Sequence, residues 1–262
     1  MAPSPAPHAC WQTLAGPDGL ELRCWWATPV GRPAHAAVLV LPEVFGVNAW
    51  VRSVADRLAA AGYAALALPV FARTAPGLEL AYDAEGLAEG RRHRDAVSAD
   101  PFLADCAWAI RWLQAQPGLE GRAVGCVGFC FGGHLAMLAA TLPQVAATCD
   151  FYGARVASFR PGGGQPTLAS LPSVAGDLLC LAGDADPLMP PEELAAIEAA
   201  LAGSASAESA ARIRRQLVLA GAGHGFMCEA RADYNAEAAA LGWAAMLQLF
   251  AGSLQAPSRG RV

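Results

Sequence analysis

Val124-Gly125-Cys126-Val127-Gly128-Phe129-Cys130-Phe131-Gly132-Gly133-His134-Leu135-Ala136 passes from a short apolar run, through a Gly-x-Cys-x-Gly turn, into an Ala/Leu/Met-rich stretch of helical character. This is the strand–turn–helix setting of the Gly-x-Ser-x-Gly nucleophile elbow, with cysteine in place of serine. The glycines follow from the geometry: the residue at the tip is held in a strained conformation, and strand and helix pass too close for Cβ atoms on either side. Such a turn also places Cys130 at a helix N-terminus, where the macrodipole favours a thiolate and free N–H groups face a developing oxyanion. A cysteine can equally be a small packed hydrophobe, so the choice rests on residues further along the chain.

Working outward, apolar strand-like runs alternate with amphipathic helical ones. His35–Leu41 is predicted as a buried strand closed by Pro42-Glu43-Val44-Phe45-Gly46, and a helix runs from Asn48 to a stop at Gly62. Tyr63–Leu68, Val145–Tyr152, Asp177–Ala182 and Arg215–Ala220 read as further strands, and Leu20–Thr28 as an antiparallel edge strand. Pro69 to Asp100 reads as long, irregular and charged, a length more often functional than idle. Asp100-Pro101 is predicted as N-cap and first turn of a helix buried through Leu103, Cys106, Ala107, Ile110 and Leu113. Helices are also expected at Pro190–Leu201 and from Asp233 to Leu254, with a loose arm over 1–10 and a frayed tail over 255–262. Gly162-Gly163-Gly164 reads as a surface loop rather than a phosphate cradle. The alternation implies one α/β domain over 1–262, a doubly wound, mostly parallel sheet with helices on both faces.

Composition narrows the function. The chain has 262 residues, is 55% hydrophobic and carries a net charge of −5, which argues against nucleic acid or an anionic membrane surface as partner. The start has no signal-peptide pattern, and no apolar run reaches the length of a membrane span. The eight cysteines form no regular disulfide framework and no Cys-x-x-Cys pair, so reduced thiols in a cytoplasmic protein, a monomer or small homo-oligomer, are expected.

Two residues complete a constellation with Cys130. Asp186 lies in the loop after one late strand and His224 in the loop after the last, both at the carboxyl edge where open α/β sheets bind ligands. The order nucleophile, acid, histidine is that of the α/β-hydrolase arrangement. Asp184 competes with Asp186; spacing to Pro190 and the next helix favours Asp186. His134 is a weaker rival base, pointing along the elbow helix, and His8, His35 and His93 are expected to be solvated.

The stretches Leu41-Pro42-Glu43-Val44-Phe45-Gly46, Gly128-Phe129-Cys130-Phe131-Gly132-Gly133, Gly183-Asp184-Ala185-Asp186-Pro187-Leu188-Met189-Pro190 and Ala222-Gly223-His224-Gly225-Phe226 resemble, in order, the signature blocks of the dienelactone hydrolase (carboxymethylenebutenolidase) family, of α/β-hydrolase fold. The resemblance implies Cys130 as nucleophile, His224 as base and Asp186 as its orienter. It implies that Glu43 contacts the resting cysteine and helps form the thiolate, and that the Val44 and Phe131 N–H groups make the oxyanion hole. It further implies hydrolysis of a small ester or lactone through an acyl-thioester, with no metal or organic cofactor. Family members hold a substrate carboxylate with two arginines. One is expected four residues after the histidine, where Cys228 stands here and Arg231 is the nearest arginine. The other comes from the region holding Arg91, Arg92 and Arg94. Tyr152, at a strand end, is a candidate for the pocket wall or for packing. A thioesterase or acyltransferase on the same fold, or a non-catalytic reactive-thiol redox sensor, is the alternative reading.

Overall fold

The computed structural model describes residues 6–204 and 212–254. Eight strands, β1 (His8–Ala15), β2 (Glu21–Thr28), β3 (Ala37–Leu41), β4 (Ala64–Ala67), β5 (Val124–Phe129), β6 (Val145–Phe151), β7 (Asp177–Gly183) and β8 (Arg214–Leu219), form one sheet in the order β1-β2-β4-β3-β5-β6-β7-β8. β1–β2 and β2–β4 are antiparallel and the remaining pairs parallel. The helices are α1 (Ala49–Ala60), α2 (Ala84–Asp95), α3 (Ala99–Gln114), α4 (Phe131–Ala139), α5 (Pro191–Gly203) and α6 (Ala236–Ser253).

Alternation along the central strands divides the core. Val38 and Val40 of β3, Val127 and Phe129 of β5 and Leu179 and Leu181 of β7 face α1 and α6. Leu39 and Leu41, with Val124 and Cys126, face α3 and α4, while Leu178 and Cys180 meet Ile197 and Leu201 of α5. Strands buried on both faces read as unbroken apolar runs, which is why these segments stood out in the sequence. This is the α/β-hydrolase fold.

Several boundaries differ from expectation. Leu20–Thr28 is not the edge: β1 covers it, so His8–Cys10 belong to a strand rather than a loose arm, residues 1–5 lying outside the described residues. β1 escapes a pattern reading because Leu14 is its one fully buried side chain. The charged stretch after β4 contains α2, and α3 starts at Ala99 after Ser98, before the Asp100-Pro101 pair. The buried stripe of α3 runs through Phe102, Asp105, Cys106, Ala109, Ile110 and Leu113; Leu103 and Ala107 sit at its margin. Asp105 can be buried because Arg73 bonds both its oxygens, at 2.6 and 3.1 Å. The expected tail, 255–262, lies outside the described residues. No helix among the described residues is long and apolar enough to cross a membrane. All eight cysteines are free thiols.

Candidate active site

β5 ends in a turn that leaves Cys130 at φ 54°, ψ −120°, with α4 starting at the next residue. A cysteine in this region is held there by its surroundings: its N–H donates to the Phe151 carbonyl at 3.0 Å, and its own carbonyl accepts from His134 N at 3.1 Å. Gly128 makes the turn possible, since a Cβ there would lie 1.9 Å from the Gly132 carbonyl oxygen. Cys130 is partly exposed at the carboxyl edge of the sheet.

The loops after β7 and β8 meet it there. His224 Nε2 lies 3.0 Å from Cys130 Sγ, and His224 Nδ1 lies 2.8 Å from Asp186 Oδ2. Asp186 is fixed in turn, its Oδ1 accepting from Leu188 N at 2.8 Å. Asp184 serves the scaffold instead. It is exposed, accepts from Gly221 N at 2.7 Å and latches the two loops together. Burial pulls the His224 pKa down, but the charge on Cys130, the hydrogen bonds to Asp186 and Cys130 and the charge of Asp186 outweigh it, raising it to about 10. The surroundings of His224 therefore favour a protonated imidazole between the sulfur and the carboxylate.

The Val44 N–H, in the loop after β3, and the Phe131 N–H, first of α4, donate no hydrogen bond within the described residues. Val44 and Phe131 both line the cavity at Cys130, which measures about 310 Å³. Glu43 is fully buried beside them. Its Oε1 accepts from Arg231 at 2.9 Å, and its Oε2 has no partner among the described residues, so the glutamate is held by an arginine rather than by the cysteine. Arg231 also reaches Asp233 at 3.3 Å. Sequence reasoning did not assign Arg231 this role; a buried carboxylate in need of a cation was the only signal, and its partner is 188 residues away. Cys228, where the resemblance expects an arginine, is a buried thiol whose pKa burial and the Glu43 charge push up to about 11.

Arg91 and Arg94 line the cavity from α2, whereas Arg92 turns away to pair with Glu89. Gly90 lets that helix sit directly on the loop after β3, since a Cβ there would fall 2.2 Å from the Val44 carbonyl oxygen. Tyr152 is not on the cavity wall. It is fully buried at φ 45° with its ring edge-on to His224, centroids 5.2 Å apart. His134 is not a base for Cys130: Nδ1 bonds the Ala154 carbonyl and Nε2 the Thr167 hydroxyl, each at 2.8 Å, and burial lowers its pKa to about 4. Of the other histidines, His93 is not simply solvated, lying 3.0 Å from Thr74 Oγ1 and 2.9 Å from Glu89. Ala154, Arg155, Phe159 and Leu188 complete the lining. A larger depression of about 630 Å³, lined by Arg32, Tyr63, Arg122 and the end of α6, contains no thiol or carboxylate. Among the described residues no three His, Cys, Asp or Glu side chains gather as a metal-binding group would.

The sequence pattern of the dienelactone hydrolase family matches residues 22–254. The chain belongs to the dienelactone hydrolase family. This family hydrolase is 37% identical over 234 residues to the Synechocystis sp. protein named "Putative carboxymethylenebutenolidase", covering 89% of this chain and 92% of that one. It is 36% identical over 128 residues to the carboxymethylenebutenolidase of Pseudomonas putida, 47% of this chain and 54% of the relative. Among solved structures, the "Putative Dienelactone Hydrolase" of Klebsiella pneumoniae superposes with a TM-score of 0.80 at 26% identity, covering 94% of this chain and 99% of that one. The dienelactone hydrolase of Anabaena variabilis shares the fold, with a TM-score of 0.65 at 20% identity over 95% of this chain and all of that one.

Proposed function

We propose that this hydrolase cleaves a small carboxylic ester or lactone with Cys130 as nucleophile, His224 as acid–base and Asp186 as the carboxylate that orients His224. What carries the reading is the single file of three side chains from three loops, sulfur to imidazole at 3.0 Å and imidazole to carboxylate at 2.8 Å. The names of the relatives, carboxymethylenebutenolidases, point to the same bond class.

His224 Nε2 takes the thiol proton and the sulfur attacks the carbonyl carbon, sending the π pair onto oxygen. The Val44 and Phe131 N–H groups receive that oxyanion, each such donor contributing about 2.7–4 kcal/mol. Collapse expels the leaving alkoxide, which collects the proton from His224. Water then attacks the thioester while Nε2 accepts its proton, the second collapse releases the thiolate, and the acid departs.

The test is a panel of p-nitrophenyl acetate and small lactones, cis- and trans-dienelactone included, with wild type and Cys130→Ala side by side. Wild-type turnover, an acyl adduct on Cys130 by mass spectrometry, and a loss of about 10³-fold or more in the variant are expected. Unchanged turnover in Cys130→Ala would remove the nucleophile. No turnover of any ester, with reversible peroxide oxidation of Cys130, would favour the redox-sensing reading.

A further inference from the structure

The amino ends of β3, β4 and β5, where Ala37 pairs with Ala64 on one side and Val124 on the other, border the depression of about 630 Å³. Cys130 lies toward the opposite end of the sheet, six residues along β5 from Val124, roughly 20 Å away. The two openings share no lining residue. A volume of this size is that of a small-molecule site.

Charge marks the remote opening. Two arginines line it in a chain whose net charge is −5. Several other arginines answer carboxylates: Arg52 meets Glu79, Arg57 meets Glu229 at 3.2 Å, and Arg73 meets Asp105 at 2.6 Å. Arg32 and Arg122 instead donate to carbonyls, of Ala60 at 3.0 Å and of His35 at 2.7 Å, and have no ion pair among the described residues. A guanidinium carries five N–H donors, so capping one carbonyl leaves most of each fork unused.

His35 joins the pair. Its carbonyl takes Arg122, and its ring lies with the Arg32 guanidinium over Gly62, where a Cβ would fall 2.6 Å from His35 Nε2 and 2.9 Å from Arg32 Nη2. Gly62, at φ 104°, is what lets cation and imidazole share that wall. The rest of the wall is aromatic and apolar. The Tyr63 ring stands edge-on to His35 and to Phe250, centroids 5.9 Å apart in each case, and Leu254 lies beside them. The Tyr63 hydroxyl has no partner among the described residues.

Unpaired guanidinium forks beside an aromatic wall complement a planar anion, the forks taking its oxygens and the rings its flat body. We propose that this depression is a second binding site, remote from Cys130, for a small aromatic oxyanion such as an aryl carboxylate, its head on Arg32 and Arg122 and its ring against Tyr63 and Phe250. Binding there needs no turnover at Cys130.

The test is calorimetric titration of the full chain with 2-naphthoate and with the uncharged 2-naphthamide. The naphthoate should bind about tenfold tighter or more, by a margin that shrinks as salt is added. Arg32→Gln combined with Arg122→Gln should erase the margin, the corresponding lysine pair should keep part of it, and Arg111→Gln, whose side chain lies over Trp108, should leave it whole. If the glutamine pair fails to fold in a thermal scan, Ala251→Asp decides: it sets an acid in the lining, leaves both arginine–carbonyl bonds in place, and should abolish naphthoate binding. Saturating naphthoate should not change the rate at which iodoacetamide alkylates Cys130, read by mass spectrometry. Protection of Cys130 with the same midpoint as binding would seat the ligand in the other cavity and overturn the proposal. Equal affinity for the two probes, a margin untouched in the glutamine pair, or no binding to the full chain, as when a second copy or another part of the chain fills the depression, overturns it as well.

Discussion

Burial by itself would drive the His224 imidazole toward its neutral form; the charge on Cys130 and the hydrogen bond to Asp186 reverse this and hold it protonated up to about 10. Because the folded pKa is raised, this group stabilises the native state fully below its ordinary 6.5, and the contribution is lost as pH rises toward about 10. The same sign governs the chemistry. Asp186→Asn removes a carboxylate that favours the imidazolium, so the alkaline limb of the kcat/KM–pH profile should move from near 10 toward neutrality; a limb that stays in place would take Asp186 out of the role. The positions of Cys130, Asp186 and His224 were legible because each lies just past an apolar strand, in the order the fold requires. Arg231 was not, because its reason for being there is Glu43, far off in sequence. Nor was the packing of Tyr152, since a residue just past a strand can turn into the cavity or under it, and its positive φ is invisible in the sequence.

At the scale of elements, the elbow and α2 differ in how sequence records them. The elbow writes its close approaches as a glycine pattern inside an apolar run, which reads plainly. α2 buries Gly86 and Gly90 rather than an apolar stripe, so no hydrophobic periodicity betrays it, and its arginines and glutamates read as irregular charge. Its flatness is what lets it lie on the Val44 carbonyl. Gly90→Ala, with a Cβ 2.2 Å from that oxygen, should push α2 off the Val44 loop, whose N–H is the proposed oxyanion donor. Overpacking of this kind costs about 1–3 kcal/mol of stability, and a displaced donor should lower kcat by about tenfold to a hundredfold, less than outright loss of one. Thermal unfolding and steady-state kinetics on one preparation would show both; a variant with wild-type kcat would mean the helix is not what sets that loop. The α3 start was misplaced for a similar reason: Asp100-Pro101 is a good capping pair, but Ser98 precedes it and takes the N-cap position without a side-chain bond.

Across the whole molecule, chemistry and scaffold occupy different parts of the sheet. The three groups of the proposed triad come from the ends of β5, β7 and β8, while the β1–β2 hairpin closes the opposite edge. That edge is held by Trp11 against Trp25, centroids 5.3 Å apart, with Arg23 3.8 Å from the Trp11 centroid. Trp11→Ala should therefore cost about 1–3 kcal/mol in denaturant unfolding while leaving kcat/KM unchanged; a kinetic defect would mean that the edge communicates with the site. The parallel centre of the sheet was readable as alternating units, whereas its half-exposed edge lacked the apolar contrast that reveals a strand. The thiols are divided by the same layout. Six are sealed in the interior, leaving Cys130 at the mouth of the cavity and Cys10 on the outermost strand. Four inter-strand steps separate β1 from β5, roughly 19 Å across the sheet. The unmodified polypeptide thus offers two attachment points for a donor–acceptor dye pair, one inside a cavity and one on the outermost strand, so a bulky reagent should fill Cys10 first and a small one then reach Cys130.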